Sequence, residues 1–154
     1  MIVDVSRKYQ IVYNGKEQEV ALGDILKNYQ KTILYFYPKD NTPWCTIEAV
    51  DFTWLKDAFL ENWIQIIWVS QDSVESHKKF IHSESLGIHL VSDSEWILHK
   101  EFWVIWEKNM YGRISIGVIR STFLLDTEWN VLKEWKNVKA TGHVEKIYKE
   151  LILK

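Results

Sequence analysis

The chain holds one cysteine, Cys45, in the stretch YFYPKDNTPWCT that runs from Tyr35 to Thr46. A lone cysteine cannot close an internal disulfide, and no C-x-x-C or zinc spacing accompanies it. An inert buried thiol and a reactive one are the two readings left, and free cysteine is often only a small core hydrophobe. Its position favours reactivity. Beyond Cys45 the apolar residues Ile47, Val50, Trp54 and Ala58 recur at helical spacing as far as Glu61. The sulfur therefore falls in the first turn of a helix, where unpaired N–H groups and a partial positive charge favour thiolate over thiol. Pro38 and Pro43 stiffen the approach by fixing their φ angles. Thr42 puts a hydroxyl three residues before the sulfur, placed to bond a thiolate or a bound oxygen.

A second group is needed to hold an oxygen substrate and stabilise charge on its leaving atom. Arg120 is the leading candidate. It sits in VIRSTFLLD, which reads as a strand otherwise apolar on both sides. An unpaired guanidinium there would be costly, so Arg120 needs a local partner: either the reacting sulfur or a structural ion pair.

Other chemistries find less support. His77, His82, His89, His99 and His143 show no H-E-x-x-H or other ligand spacing, and are expected to be solvated on helices or loops. No metal is expected. A Cys–His hydrolase would require one of them beside Cys45, and nothing else points to acyl transfer. Neither a phosphate-binding loop nor a dinucleotide fingerprint occurs, so no cofactor is expected.

The elements that would position these residues follow an alternating order. YQIVYNGKEQEV reads as a hairpin turning at Asn14-Gly15. LGDILKNY is a short helix. TILYFY, from Thr32 to Tyr37, is a strand buried on both faces. After the Cys45 helix comes the strand IQIIWV, then a helix over SVESHKKFIHSE capped by Asp72 or Ser73, with Glu75 supporting Asp72. IHLVSD is a strand and ILHKEF a short helix. VIRSTFLLD and NVLKEWKNV form a hairpin around DTEWN, and HVEKIYKELIL closes as an amphipathic helix. This order predicts an α/β fold: a central mixed, mostly parallel sheet flanked by helices, with an N-terminal β-hairpin. Ligands of such sheets sit beyond the carboxyl ends of the strands, where the Pro38–Cys45 loop lies.

With 154 residues and no linker or repeat, residues 1–154 form one expected domain. A net charge of −2 gives no reason to expect nucleic acid or an anionic membrane as partner. No apolar run approaches the roughly 18 residues of a membrane span. The first 20 residues lack a basic flank followed by an apolar core, so a cytoplasmic location is expected.

FYPKDNTPWCTIEAVDF, together with VSQDSVESHKKF, LVSDSEWILHKEF, EKNMYG and IRSTFLLD, resembles the peroxiredoxin Q group, also called bacterioferritin comigratory protein. The likeness runs from about Val20 to the last helix. It implies a thioredoxin-like fold and a site made of Cys45, Thr42, Pro38 and Arg120. The implied activity is reduction of hydrogen peroxide and organic hydroperoxides through a cysteine sulfenic acid, recycled by thioredoxin or another thiol. A monomer or weak dimer is expected. Glu48 matches an acidic position common in the group, without an assigned role. Many relatives carry a second cysteine where this chain has Val50, and others carry it in the later helix. With one cysteine, the sulfenic acid must meet an external thiol. The alternative is a catalytically silent thioredoxin-fold binding module with a Trp-rich contact surface.

Nine tryptophans against six glycines invert the usual order. By the resemblance, Trp44, Trp68, Trp96, Trp103, Trp106 and Trp129, and often Trp63, stand at glycine positions. DSEW and DTEWN are turn clusters where a positive φ is expected. Three readings compete: tolerated substitutions that make an aromatic surface, deliberate substitutions, or glycines written as tryptophan because UGA is read differently among organisms. The loss at turns favours the codon-level cause. At Trp44 an indole would crowd the backbone N–H groups that must reach a peroxide, so Trp44→Gly is expected to improve peroxide capture. Glycine at Trp96 and Trp129 is expected to raise stability.

Overall fold

The computed structural model describes residues 6–40, 42–136 and 142–152, and the expectations placed on the Trp44 side chain lie outside what it describes. Nine strands and five helices are present among the described residues. β1 (Lys8–Tyr13) and β2 (Lys16–Ala21) form the expected hairpin. Its turn residues Asn14 and Gly15 have φ of 51° and 77°, the left-handed pair that matches strand twist. α1 (Leu22–Leu26) follows.

β3 (Lys31–Phe36) lies inside the sheet, between β4 (Ile64–Ser70) and β8 (Ser121–Leu125). Its five residues after Lys31 are all buried, which is why TILYFY shows no polar alternation. The seven-stranded sheet runs β2-β1-β5-β4-β3-β8-β9, with β5 at His89–Ser92 and β9 at Val131–Trp135. The parallel part is the central trio β5-β4-β3, and antiparallel pairs flank it on both sides.

Each face of the sheet is covered. On one, α2 (Pro43–Glu61) and α5 (His143–Leu151) bury Tyr35, Tyr37, Phe52, Phe59, Trp68 and Ile147. On the other, α1 and α4 (Ile97–Glu101) bury Leu26, Phe36, Leu98, Phe102 and Trp129. Successive residues of β3 point to opposite faces, so Tyr35 and Phe36 belong to different cores. No helix among the described residues is long and apolar enough to cross a membrane.

The structure departs from the sequence reading in several places. β6 (Ile105–Met110) and β7 (Arg113–Val118) form a separate two-stranded sheet that turns at Tyr111-Gly112. Most of their residues are exposed, so no burial alternation marks them in the sequence. β7 ends at Val118 and β8 begins at Ser121, which puts Arg120 in the connection rather than inside a strand. α3 (Val74–Glu84) is capped by Ser73, whose hydroxyl accepts from Ser76 N at 3.2 Å. Asp72 has another role, described below.

The histidines are the largest correction. Of the five only His82 is exposed. His77, His99 and His143 are buried, each with a hydrogen-bond partner: Asp40, Asp93 and Thr122 respectively, all at 2.7 Å. His89 accepts from Asn14 N at 3.1 Å and lies against the Tyr13 ring. Sequence spacing does not reveal such distant partners, and His99 keeps its Nε2 buried without one.

Candidate active site

The site is assembled where β3 ends. Tyr37 N still pairs with Val69 O at 3.1 Å, and Pro38, without an N–H, cannot continue the ladder. The chain leaves the sheet and enters α2 at Thr42, the N-cap residue, with extended φ and ψ of −82° and 151°. Pro43 occupies the first helical position, where a missing N–H costs nothing. The first intrahelical bond runs from Thr46 N to Thr42 O at 2.9 Å. Cys45 precedes it, among the N–H groups that have no carbonyl one turn back.

Arg120 reaches this turn from the β7–β8 connection. Its Nη2 donates to Cys45 Sγ at 3.4 Å and its Nη1 to Tyr35 Oη at 3.0 Å. Glu48, one helical turn beyond Cys45, has a carboxylate oxygen 3.9 Å from Arg120 Nη1. Sulfur, guanidinium, phenol and carboxyl group thus come together from β3, α2 and the connection before β8. Cys45 is buried, whereas the Arg120 side chain is 15% exposed and forms the part of the site that meets solvent.

Thr42 and Pro38 frame the loop without touching the sulfur. The Thr42 hydroxyl donates to Lys39 O at 3.1 Å, closing the loop on itself, so of the two partners expected for it, thiolate or bound oxygen, it does not bond the sulfur here.

Charge is distributed unevenly over the group. Burial, followed by the neighbouring Glu48, holds the Tyr35 phenol well above its ordinary pKa, so it stays protonated. Burial works against the charge on Arg120, but Tyr35, Cys45 and Glu48 more than offset it and its pKa rises. Burial pushes Glu48 up to about 7, with Tyr35 and Arg120 pulling the other way. Neither closes a hydrogen bond on it: both carboxylate oxygens are buried and without a partner. His143 lies 5.6 Å from the Tyr35 ring, and burial takes its pKa down to about 4, so it is neutral near pH 7.

Of the residues singled out from sequence, Cys45 and Arg120 are in direct contact, Glu48 lies against Arg120, and Pro38 and Thr42 form the approach. Tyr35 is the addition. It is hidden in the sequence by the apolar run that makes β3, and its spacing of two from Tyr37 is the one signal that it faces α2.

This arrangement defines a thiol held at a helix N-terminus beside a fixed guanidinium, on a thioredoxin-like sheet. A family model described as the AhpC/TSA family matches residues 3–133. The chain belongs to that family, and its relatives place it with the thiol-dependent peroxidases of the peroxiredoxin Bcp, or Q, group. It is 45% identical over 115 residues to peroxiredoxin Bcp of Xanthomonas campestris, covering 75% of this chain and 72% of that one. It is 43% identical over 127 residues to peroxiredoxin Bcp of Bacillus subtilis, covering 82% and 80%. Among solved structures, the bacterioferritin comigratory protein of X. campestris, studied for alkyl peroxide reduction, superposes with a TM-score of 0.80 at 37% identity. That match covers 94% of this chain and 88% of the other. A cysteine-to-serine mutant of Xylella fastidiosa PrxQ gives 0.82 at 37% identity, covering 96% and 88%.

Proposed function

We propose that the protein reduces hydrogen peroxide and organic hydroperoxides in a one-cysteine cycle, with Cys45 as nucleophile and Arg120 as the charge that aligns and stabilises the reaction. The observation that carries this is the 3.4 Å contact between Arg120 Nη2 and Cys45 Sγ in the first turn of α2. The Cys45 thiolate attacks one peroxide oxygen, an S–O bond forms and the O–O bond breaks. The departing oxygen takes a proton and leaves as water or an alcohol. Arg120 donates to the sulfur before attack and is placed to donate to the oxygen on which negative charge develops. Pro38 fixes where the loop leaves β3. Thr42 shapes the loop through Lys39 and starts the helix.

The sulfenic acid left on Cys45 has no internal partner, because the chain has no second cysteine. An external thiol attacks it, expelling water and forming a mixed disulfide, and a second thiol of the reductant releases Cys45. Thioredoxin, or another dithiol, fits that role, and the location proposed is the cytoplasm. The assembly proposed is a monomer or weak dimer.

The test is peroxide consumption with dithiothreitol as donor. Cys45→Ser is expected to abolish turnover and keep the fold. Continued turnover by that variant would overturn the assignment of Cys45, and absence of turnover in the unmodified protein would favour a silent binding module.

A further inference from the structure

A second polar cluster lies buried behind the loop that leads to Cys45. Asp40, two residues before the N-cap Thr42, is at its centre with a side chain 1% exposed. Its carboxylate accepts from the Tyr37 hydroxyl, from Ser76 Oγ at 2.8 Å and from His77 Nδ1 at 2.7 Å. The other nitrogen of His77, Nε2, lies 3.0 Å from Val91 O. A carbonyl oxygen can only accept, so Nε2 carries hydrogen. The short contact from Nδ1 to a carboxylate oxygen needs a proton between them as well. His77 and Asp40 therefore share a proton across a fully buried hydrogen bond.

The backbone of Asp40 is tied down too. Its N–H donates to Asp72 Oδ2 at 2.7 Å, and Ser70 Oγ donates to the same oxygen at 3.1 Å. The Asp72 carbonyl accepts from Ser92 Oγ at 2.6 Å. One loop residue is thus anchored to β3 through Tyr37, to the end of β4 through Asp72 and Ser70, and to α3 through Ser76 and His77. His77 in turn is held by β5.

A buried polar pair is a poor device for stability, since apolar residues of similar volume often serve as well or better. What such a pair supplies is direction. Tyr37, Ser76 and His77 converge on Asp40, which lies between the end of β3 and the N-cap that launches the Cys45 turn. Displacing a reacting group by about 1 Å can cost on the order of 100-fold in rate.

We propose that Asp40 and His77 are a positioning pair for the peroxidase reaction, fixing the loop so that the first turn of α2 presents Cys45 Sγ to Arg120. Neither residue touches the substrate. The inference rests on the reading of Cys45 and Arg120 given above.

The experiment compares two reactions of Cys45 in the full chain, well below the melting temperature of each variant. Reaction with hydrogen peroxide requires alignment with Arg120, and alkylation by iodoacetamide requires only an available thiolate. His77→Leu is expected to slow the peroxide reaction by roughly 10- to 100-fold and to change alkylation far less. His77→Asn, which keeps a donor towards Asp40, should recover part of the loss. Asp40→Asn combined with His77→Asn should be no slower than the slower single variant, as expected of residues acting as a unit. If His77→Leu does not fold, Ser76→Ala removes one donor to Asp40 and should show the same split at smaller size. Peroxide rates per folded molecule equal to those of the unmodified protein would overturn the proposal. So would equal losses in both reactions, the mark of a merely structural pair. Peroxide turnover by Cys45→Ser would instead overturn the underlying reading, so the two failures are distinguishable.

Discussion

Arg120 donates to Tyr35 through one nitrogen and to Cys45 through the other, so truncating it removes both a charge and a hinge of the site. Loss of a preorganised donor to a developing oxyanion typically costs about 3 kcal/mol, on the order of 100-fold in rate. Arg120→Met is therefore expected to slow sulfenic acid formation by roughly that factor. An unchanged rate would make Arg120 a structural residue. Glu48 has a different effect, because it is buried without a hydrogen bond. Its pKa is raised from 4.5 to about 7 on folding. A raised pKa contributes stability that is complete below 4.5 and is lost as pH climbs through about 7, because the unfolded chain ionises first. Over that window the loss is about 3 kcal/mol. Glu48→Gln should abolish it, visible as a melting temperature that no longer carries this fall between pH 4.5 and 7.

The opposite slope comes from the helix that closes the fold. His143 opens α5 and meets Thr122 of β8 at 2.7 Å, a contact that anchors the helix to the sheet. Its pKa falls from 6.5 to about 4, through burial first and then the charges of Lys146 and Arg120. A depressed pKa contributes stability that is complete above 6.5 and is lost as pH falls through about 4. Between pH 4.5 and 6.5 the His143 and Glu48 contributions nearly cancel. His89, whose pKa burial also lowers to about 4, adds a second rising slope over the same window, so stability should rise with pH more steeply in Glu48→Gln than in the unmodified protein and be nearly flat in His143→Gln. Chemical denaturation at pH 5 and 6.5 reads both slopes, and parallel profiles in the two variants would contradict the assignment. Elements of this kind were largely legible in the sequence, since apolar runs and helical spacing mark where strands and helices form. β3 announces itself by five buried residues in a row, whereas α2 starts at Pro43, which reads in the sequence as part of the approach, and buries Cys45, Ala49, Phe52 and Phe59 rather than the spaced Ile47 and Trp54. The β6–β7 hairpin is silent because burial leaves no alternation on strands exposed to solvent. At the site, Cys45 was legible from type and placement, and Arg120 from its type, since it lies in the β7–β8 connection and not inside a strand. Tyr35, Asp40 and His77 were not, because their meaning lies in partners up to 85 residues away.

Across the whole molecule the tryptophans divide by backbone. Trp63, Trp96, Trp103 and Trp129 have positive φ between 56° and 68°, a region that costs a residue with a Cβ about 1–2 kcal/mol and glycine almost nothing. All four are among the positions where the resemblance expects glycine. Trp68 and Trp129 also bury an indole N–H without a partner. Trp106 lies across Gly117 so closely that a Cβ there would be 2.1 Å from its ring. These features suit a chain whose natural residues at several of these positions are glycine. The side chains nevertheless predict different outcomes for replacement. Trp103 is 78% exposed and Trp63 56%. Glycine at either position removes backbone strain and little packing, so each change should raise stability by about 1 kcal/mol, or roughly 2–4 °C in melting temperature. Trp129 is buried against Phe102 in the second core, and removing it opens a cavity whose cost of about 3–5 kcal/mol exceeds the strain relieved. The sequence alone predicts a gain at Trp129, and the packing reverses that sign. Trp96 is half-buried edge-on to His99 and should fall between the two cases. Melting curves for the four glycine variants, with the intact mass of the natively expressed protein, decide the matter. A mass lower by a whole number of Trp-to-Gly differences would count the glycines, and peptide masses would place them at the positive-φ positions. A mass equal to that of the written sequence would assign the tryptophans to the protein. The gains at Trp63 and Trp103 would then measure the strain it tolerates.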